Sequence, residues 1–210
     1  MPITKLPSSI KININQENFK KESGHIYSLD FSSNSQIVKT SGLVDLQVNG
    51  FAGVDFNTPG ITNEKLNKSL EIMLASGVTT CLPTLITSSE EHLKLCFRDL
   101  ENSRQSCQLA KTMIAGYHLE GPFISPQKGF SGCHPVEKIG DADQEMFRRL
   151  QEAAGGRISL VTLAPEVNGA IAFIENLVSQ GIIVAIGHTS AVSEKIREAF
   201  EAGAILSTHL

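Results

Sequence analysis

The sequence predicts an α/β protein built as a (β/α)₈-type barrel, of which about six of the eight strands are present. Apolar segments typical of buried strands alternate with amphipathic helical segments along residues 41–210. The apolar segments read as continuous runs, which indicates strands of a parallel sheet covered by helices on its outer face. Polar residues close several of these strands at their carboxyl ends, the edge where barrel proteins build their sites.

Residues 1–40 predict a small N-terminal β segment that precedes the barrel. KININ and HIYSLDF alternate as short strands do, and the polar stretch NQENFKKESG separates them. We therefore divide the chain into an N-terminal β segment, residues 1–40, and a partial barrel, residues 41–210.

Six strand segments and five long helical segments alternate in the second part. The first strand is GLVDLQV, and the helical segment NEKLNKSLEIMLASG follows it with apolar residues at helical spacing and a terminal glycine. The later units are GVTTCLPTLI with EEHLKLCFRDLENS, TMIAGYHLEG with QEMFRRLQEAAGG, RISLVTLAPE with AIAFIENLVSQG, IIVAIGHT with SEKIREAFEAG, and the final strand AILSTHL. This order is typical of repeated βα units.

Two folds fit such units, a doubly wound sheet and a (β/α)₈ barrel. The segment NGFAGVDFN after the first strand lacks the GxGxxG order of a dinucleotide-binding loop, which favours the barrel. A barrel needs eight strands and typically about 250 residues, and an arc of six strands would leave open backbone edges. We therefore expect the sequence to be the N-terminal part of a longer chain; the alternative is a protein that completes its sheet in an unusual way.

Composition and charge exclude several classes of function. The formal net charge is -4, and no cluster of Lys and Arg offers a surface for nucleic acid or an anionic membrane. No apolar run approaches the roughly 20 residues of a membrane helix. The opening MPITKLPSSI lacks the apolar core of a secretory signal, so we expect a cytoplasmic protein. The four cysteines show no CxxC spacing, which favours reduced thiols over disulfides or a zinc knuckle.

Glu120, His188 and His209 predict a site for one divalent metal ion. They stand at the carboxyl ends of the third, fifth and sixth predicted strands, which meet at one mouth of a barrel. Two imidazoles and a carboxylate are a common ligand set of catalytic Zn²⁺, and Fe²⁺, Mn²⁺ or Co²⁺ suit the same set. A single histidine at a strand end is more often a hydrogen-bonded scaffold residue, so the prediction depends on all three. His118, two residues before Glu120, is expected to support the site or to pack beneath it.

The loop ISPQKGFSGCHP follows Glu120 directly and brings two further candidates to the predicted mouth. His134 either contacts a substrate carbonyl oxygen or caps the loop, and its position leaves both interpretations open. Cys133 has the chemistry of a nucleophile, but no base accompanies it, which favours a plain loop residue.

Five blocks of the sequence together resemble the motifs of the N-acetylglucosamine-6-phosphate deacetylase family, in the amidohydrolase superfamily: DLQVNGFAGVDFN, GYHLEGPFISPQKGFSGCHP, TLAPE, IGHTSA and STHL. The resemblance runs from about residue 42 to the last residue, and its specificity lies in the combination and order of the blocks. It implies a metal-bearing (β/α)₈-type barrel with a small β-sandwich built from both chain ends, of which residues 1–40 are a part.

The same resemblance implies roles for seven residues. Metal ligands are implied at Glu120, His188 and His209, and substrate contact at Cys133 and His134. Gln47 and Asn49 stand where related two-metal enzymes carry HxH, so they are vestigial second-metal positions. Since neutral amides are poor ligands beside imidazole, a single ion is expected, with zinc the first choice.

The activity that the resemblance implies is hydrolysis of the acetamide of N-acetyl-D-glucosamine 6-phosphate to glucosamine 6-phosphate and acetate, in amino-sugar catabolism. A proton-shuttle aspartate and phosphate contacts are expected beyond Leu210, one contact coming from the partner of a homodimer. No catalytic residue is therefore assigned here, and these 210 residues alone are expected to be inactive. The alternatives are a deacetylase of another N-acetyl sugar phosphate, such as N-acetylgalactosamine 6-phosphate, and a non-catalytic metal- or sugar-binding relic that ends naturally near Leu210.

Overall fold

The computed structural model of the chain describes residues 10–13, 37–40 and 42–209, with side chains from residue 42 onward. Its strands are β1 (Ile10–Asn13), β2 (Ile37–Thr40), β3 (Leu43–Val48), β4 (Gly50–Phe51), β5 (Val54–Asp55), β6 (Val78–Ile86), β7 (Tyr117–Glu120), β8 (Ile158–Leu163), β9 (Ile183–Ile186) and β10 (Leu206–Ser207). Its α-helices are α1 (Asn63–Ala75), α2 (Glu90–Ser106), α3 (Gln108–Met113), α4 (Gln144–Ala153), α5 (Ala170–Ser179) and α6 (Ser193–Glu201). A short 3₁₀ turn spans Val136–Lys138.

Six parallel strands form the main sheet in the order β3-β6-β7-β8-β9-β10. Each strand therefore lies beside the sheet strand that follows it in the chain. A doubly wound sheet reverses its strand order near the middle, whereas an unbroken order is that of a barrel. The predicted incomplete (β/α)₈-type barrel with about six strands is confirmed.

The two faces of the sheet bury different side chains. Tyr117 and Leu119 of β7 belong to the main apolar core, which the helices cover. Because side chains alternate along a strand, His118 and Glu120 point to the opposite, inner face. A small inner apolar cluster of Leu82, Leu160 and Ala185 also lies apart from the main core. All four residues of β7 are buried, as continuous apolar strands predict.

Side-chain caps set the first residues of three helices. The side chain of Thr62 accepts a hydrogen bond from the backbone of α1, and that of Ser89 does so for α2. Asp143 accepts two backbone N–H groups of α4. All five predicted helical segments form helices, and among the described residues none is long and apolar enough to cross a membrane.

The start of the third barrel strand differs from the prediction. Thr112 and Met113 were expected in a strand but lie in α3, a helix that the sequence pattern did not show. The sulfur of Cys107 accepts a hydrogen bond from the N–H of Ala110 and so begins a new helical turn directly after α2. Before β7, Ile114 forms an isolated bridge to Cys81, and the N–H of Ala115 donates to the Cys81 carbonyl oxygen at 3.2 Å.

The N-terminal segment contains a two-stranded antiparallel pair, β1 with β2. β1 overlaps the predicted strand KININ, whereas HIYSLDF lies outside the described residues. A second antiparallel pair, β4 with β5, was not predicted and forms a small hairpin directly after β3. The division of the chain near residue 40 stays a prediction.

Apolar side chains are exposed on the two outermost strands of the described sheet. On β3, Leu43, Val44 and Leu46 are 50%, 60% and 47% exposed. At the other side, Ile205 is 66% exposed directly before β10. In the part of the chain that the structure describes, each outermost strand has one neighbour in the main sheet.

Candidate metal centre

Glu120, His188 and His209 meet at the carboxyl edge of the sheet. Glu120 ends β7, and the two histidines follow β9 and β10 by two residues each. Glu120 Oε1 lies 2.7 Å from His209 Nε2 and 3.2 Å from His188 Nε2. The Glu120 side chain is only 3% exposed, so these contacts meet the need of a buried carboxylate for partners.

The electrostatic setting of Glu120 favours its anionic form. Burial acts to raise the pKa of this carboxyl group, but the hydrogen bond from His209 and the charges of the neighbouring histidines outweigh burial and lower it. An ionised carboxylate with two imidazoles around one point is a donor set that divalent cations bind.

His134 also belongs to this cluster. One ligand atom each of Glu120, His134 and His188 lie within 4.8 Å of one another, and the His134 and His188 ring centroids are 4.3 Å apart. The sequence left His134 as a substrate contact or a loop cap; the structure brings it next to the predicted ligands. Cys133 beside it is exposed.

Thr87 orients the ring of His134. His134 Nδ1 lies 2.7 Å from Thr87 Oγ1 and 3.4 Å from the Thr87 backbone nitrogen, whose N–H it accepts. Since Nδ1 acts as an acceptor, the neutral ring carries its proton on Nε2. Burial first, and then the charge of His188, lower the pKa of His134 to about 4. Gly121 makes room for this contact, because a Cβ there would lie 2.2 Å from Thr87 Oγ1.

A backbone carbonyl orients the ring of His188. His188 Nδ1 lies 2.9 Å from the carbonyl oxygen of Phe130. Because a carbonyl only accepts, Nδ1 carries a proton, and this contact turns Nε2 of the ring towards Glu120. Gly132 packs against this ring. A Cβ added at Gly132 would lie 3.3 Å from His188 Cε1. The loop predicted to line the mouth, residues 124–135, therefore also orients the ring of His188, a candidate ligand.

His188 and His209 share an unusual backbone conformation. Their φ angles are +50° and +58°, in the left-handed region. Residues other than glycine adopt this region rarely, and such conformations concentrate at functional sites where surrounding contacts hold them. At the carboxyl edge of the main sheet, the two histidines with a left-handed φ are thus both candidate ligands.

His118 lies one layer below the cluster. Its Nε2 is 2.8 Å from Thr162 Oγ1 and its Nδ1 is 3.2 Å from Thr84 Oγ1. Burial lowers its pKa to about 4, so the ring is neutral and ties β6, β7 and β8 together. These contacts match the supporting role that was predicted.

Gln47 and Asn49, the two predicted vestigial positions, have different surroundings. Gln47 contacts the two residues that follow β10. Its Oε1 accepts a hydrogen bond from Thr208 Oγ1 at 3.1 Å, and its Nε2 lies 3.5 Å from His209 Nε2. Asn49 donates to the backbone oxygen of Thr84 at 3.4 Å. Gln47 therefore adjoins the cluster, and Asn49 joins two strand ends.

Glu166 is a site residue that sequence reasoning missed. It follows β8 in the TLAPE block and accepts hydrogen bonds from Thr189 and Ser190, the two residues after His188. Burial acts to raise its pKa, but these hydrogen bonds lower it. The available signals were its position at a fourth strand end and its place in the TLAPE block.

A cavity of about 650 Å³ opens beside the cluster. His188 and His209 line it on one side, and Phe130 and Ile196 add apolar surface. This volume lies within the range of small-molecule pockets, roughly 300–1,000 Å³. A small ligand in the cavity would contact the imidazoles directly.

Comparisons with known proteins show which proteins this chain is similar to. The chain is 33% identical over 192 residues to the N-acetylglucosamine-6-phosphate deacetylase of Bacillus subtilis, covering 88% of this chain and 46% of that protein. It is 37% identical over 171 residues to the N-acetylgalactosamine-6-phosphate deacetylase of a Shewanella species, covering 81% of this chain and 41% of that protein. No protein-family model matches the chain.

A solved structure shows the same likeness in three dimensions. The N-acetyl-D-glucosamine-6-phosphate deacetylase of Mycobacterium smegmatis, in complex with N-acetyl-D-glucosamine-6-phosphate, superposes with a TM-score of 0.72 at 34% identity. The match covers 80% of this chain and 42% of that one. The chain thus spans less than half the length of the relatives that it matches.

Fold and site together define part of an α/β barrel whose polar groups converge at the carboxyl ends of its strands. Sequence and structural similarity to several relatives agree on what kind of barrel this is. The chain belongs to the N-acetylglucosamine-6-phosphate deacetylase family.

Proposed function

We propose that this protein hydrolyses the acetamide of N-acetyl-D-glucosamine 6-phosphate, releasing acetate and glucosamine 6-phosphate. The observation that carries the proposal is the convergence of His188 Nε2 and His209 Nε2 on the buried carboxylate of Glu120, in a chain whose relatives carry deacetylase names. Amino-sugar catabolism in the cytoplasm, by a homodimer, is part of the same proposal.

Glu120, His188 and His209 are the proposed ligands of one divalent ion, with zinc as the first choice and iron, manganese or cobalt as alternatives. When bound, the ion supplies Lewis-acid polarisation of the amide carbonyl and acidifies water. The chain's own contribution is orientation: the Phe130 carbonyl holds His188 so that its Nε2 lone pair faces the site. Gln47 is uncharged and adjoins His209, which fits a site for a single ion.

His134 is the proposed donor to the acetyl oxygen. With Nδ1 held by Thr87, its Nε2–H is the ring's free donor. A preorganised donor aimed at an oxygen that gains negative charge stabilises the transition state. The cluster of Glu120, His134 and His188 also allows His134 as a third metal ligand. Measuring the metal stoichiometry and affinity of His134→Asn and His209→Asn separates the two roles, since only the ligand variant loses affinity.

The epimer N-acetylgalactosamine 6-phosphate is the second candidate substrate, because the Shewanella relative is named for it. Acetate release from both sugar phosphates at equal concentrations decides between them. Higher kcat/KM on the glucosamine epimer supports the first choice, and the reverse order replaces it.

The non-catalytic alternative requires a separate experiment. The protein isolated from its own cells is first weighed by intact-mass spectrometry and then assayed for metal content and acetate release, with Glu120→Gln as the negative control. Metal-dependent acetate release supports the deacetylase proposal. That proposal assigns no proton-shuttle aspartate within residues 1–210. A mass of 22.7 kDa with ligand binding but without acetate release would establish the relic.

A further inference from the structure

Glu166 is linked to the residues immediately after His188 through both of its carboxylate oxygens. Oε2 accepts the hydroxyl of Thr189 at 2.5 Å. Oε1 accepts both the backbone N–H of Ser190 at 2.7 Å and the Ser190 hydroxyl at 3.0 Å. Three donors from two consecutive residues fix the position of this turn relative to the end of β8.

The same turn is closed by further contacts. Thr189 Oγ1, while donating to Glu166, accepts the backbone N–H of Ala191 at 2.9 Å. Ser190 Oγ lies 3.3 Å from Ser125 Oγ, in the loop after β7. Glu166 therefore stands at the centre of a polar network that joins the segments following β7, β8 and β9.

This network lies next to a strained residue. His188 has a φ of +50°, and only contacts around it can hold that conformation. Its carbonyl oxygen accepts the N–H of Ser125 at 2.9 Å, and its ring donates to the Phe130 carbonyl. Both of these contacts come from the loop on the β7 side. The turn that follows His188 is held from the β8 side, by Glu166.

We infer that Glu166 is a positioning residue for His188: its carboxylate holds the 189–190 turn and thereby keeps the His188 imidazole aimed at Glu120. As far as it concerns metal binding, the inference rests on the proposed function. A carboxylate is the side chain that suits this place, because it only accepts and all of its partners donate. Glutamine has nearly the same shape but turns one acceptor into a donor, so it cannot accept all three of these hydrogen bonds in the same arrangement.

The test compares Glu166→Gln with Glu175→Gln, which makes the same change of charge at an exposed position of α5. Zn²⁺ affinity is measured by competition with a chromophoric chelator. Loss of an outer partner of a metal ligand typically costs about 10- to 100-fold in affinity, and we expect a loss of that size in Glu166→Gln and none in Glu175→Gln. Unchanged affinity in folded Glu166→Gln overturns the inference.

A second readout uses metal-free protein, so that it judges Glu166 independently of the proposed function. The ¹⁵N shifts of the His188 ring report which nitrogen carries the proton, and hydrogen exchange reports protection of the Ser190 amide. We expect Glu166→Gln to lose the fixed Nδ1–H form and to exchange the Ser190 amide faster, while Glu175→Gln matches the wild type. Unaltered ring shifts and protection overturn the inference. If the wild type binds none of Zn²⁺, Fe²⁺, Mn²⁺ and Co²⁺, the metal proposal is overturned, and these two signals then decide the role of Glu166.

Discussion

At the scale of single residues, the metal proposal depends most on Glu120. Its carboxylate is the one anionic group in the cluster and contacts both His188 and His209. We expect Glu120→Gln to lower Zn²⁺ affinity by at least about 100-fold, because a neutral amide is a poor ligand. Competition titration measures the effect, with Glu175→Gln as the control for charge. Wild-type affinity in folded Glu120→Gln contradicts the ligand assignment.

His118 is two residues from Glu120 on the same strand face, yet we expect a different effect from its replacement. It touches Thr84 and Thr162, so His118→Ala removes the partner of the buried Thr162 hydroxyl and creates a cavity. The Thr84 hydroxyl loses one contact and keeps its hydrogen bonds with Leu82 and Val48. The expected loss in the free energy of unfolding is about 3 kcal/mol, measured by urea denaturation of metal-free protein. A stability equal to that of the wild type would show that His118 does not hold the strands together.

Gly187 permits the close approach of strand ends beside His188. A Cβ at this position would lie 2.5 Å from Thr208 Cγ2 and 2.8 Å from Thr162 Cγ2. We expect Gly187→Ala to cost roughly 1–3 kcal/mol of stability, the usual range for overpacking. Gly140→Ala is the matched control, since nothing lies within 4 Å of its Cβ and neither glycine has a positive φ. Equal effects of the two substitutions in thermal unfolding would contradict the steric argument.

Residue types at strand ends were enough to expect Glu120, His188 and His209 at one edge of the sheet, where their side chains meet; their role as metal ligands stays a prediction. Residue types did not predict the role of His134, because that role depends on which of its ring nitrogens is hydrogen-bonded to Thr87. Glu166 was missed for a similar reason. Its partners follow another strand, and only the folded sheet brings the two loops together.

At the scale of elements, Glu101 joins α2 to the sheet. It accepts two hydrogen bonds from Arg104 and one, at 2.9 Å, from the Tyr117 hydroxyl of β7. Burial acts to raise the pKa of Glu101, but the hydrogen bonds from Arg104, Gln105 and Tyr117 prevail and lower it to about 2. Since this value lies below the ordinary 4.5, ionisation of Glu101 favours the folded state.

The pH dependence of stability follows from that sign. The stabilisation by Glu101 is complete above about pH 4.5 and is lost as the pH falls towards 2. We expect Glu101→Gln to lower stability by about 3 kcal/mol at pH 7, as for a broken buried ion pair, and the gap to the wild type to narrow below pH 4.5. Urea unfolding from pH 7 to pH 3 measures this gap. Glu145→Gln, at an exposed ion pair, serves as the control, and a gap independent of pH contradicts the prediction.

The long elements were predictable because each carries many residues of one pattern. α1, α2, α4, α5 and α6 were all expected, and so were the six strands of the main sheet. The misses are short. α3 has six residues and depends on one sulfur cap, and each strand of the β4–β5 hairpin has two residues, too few for a period to show.

At the scale of the whole molecule, strand order determines what the site can be. Because the six strands of the main sheet follow one another around an arc, the side chains at the ends of β7, β9 and β10 converge on one edge. The sequence predicted this order from the alternation of βα units and the missing dinucleotide loop. The curvature that brings His209 to within 2.7 Å of Glu120 is a property of the packed sheet, which no local pattern contains.

Within residues 42–209 the same arc exposes two apolar edges, and we expect them to cause self-association of the 210-residue chain. Val44 on β3 is 60% exposed and Ile205 beside β10 is 66% exposed, and outer strands with free backbone groups pair readily with other chains. Charged residues on edge strands oppose such pairing. Val44→Lys combined with Ile205→Lys should therefore raise the monomer fraction in sedimentation-velocity runs. Ile72→Lys, at an exposed apolar position on α1, should leave it unchanged. A monomeric wild type, or an equal shift in both variants, would show that the edges do not drive association.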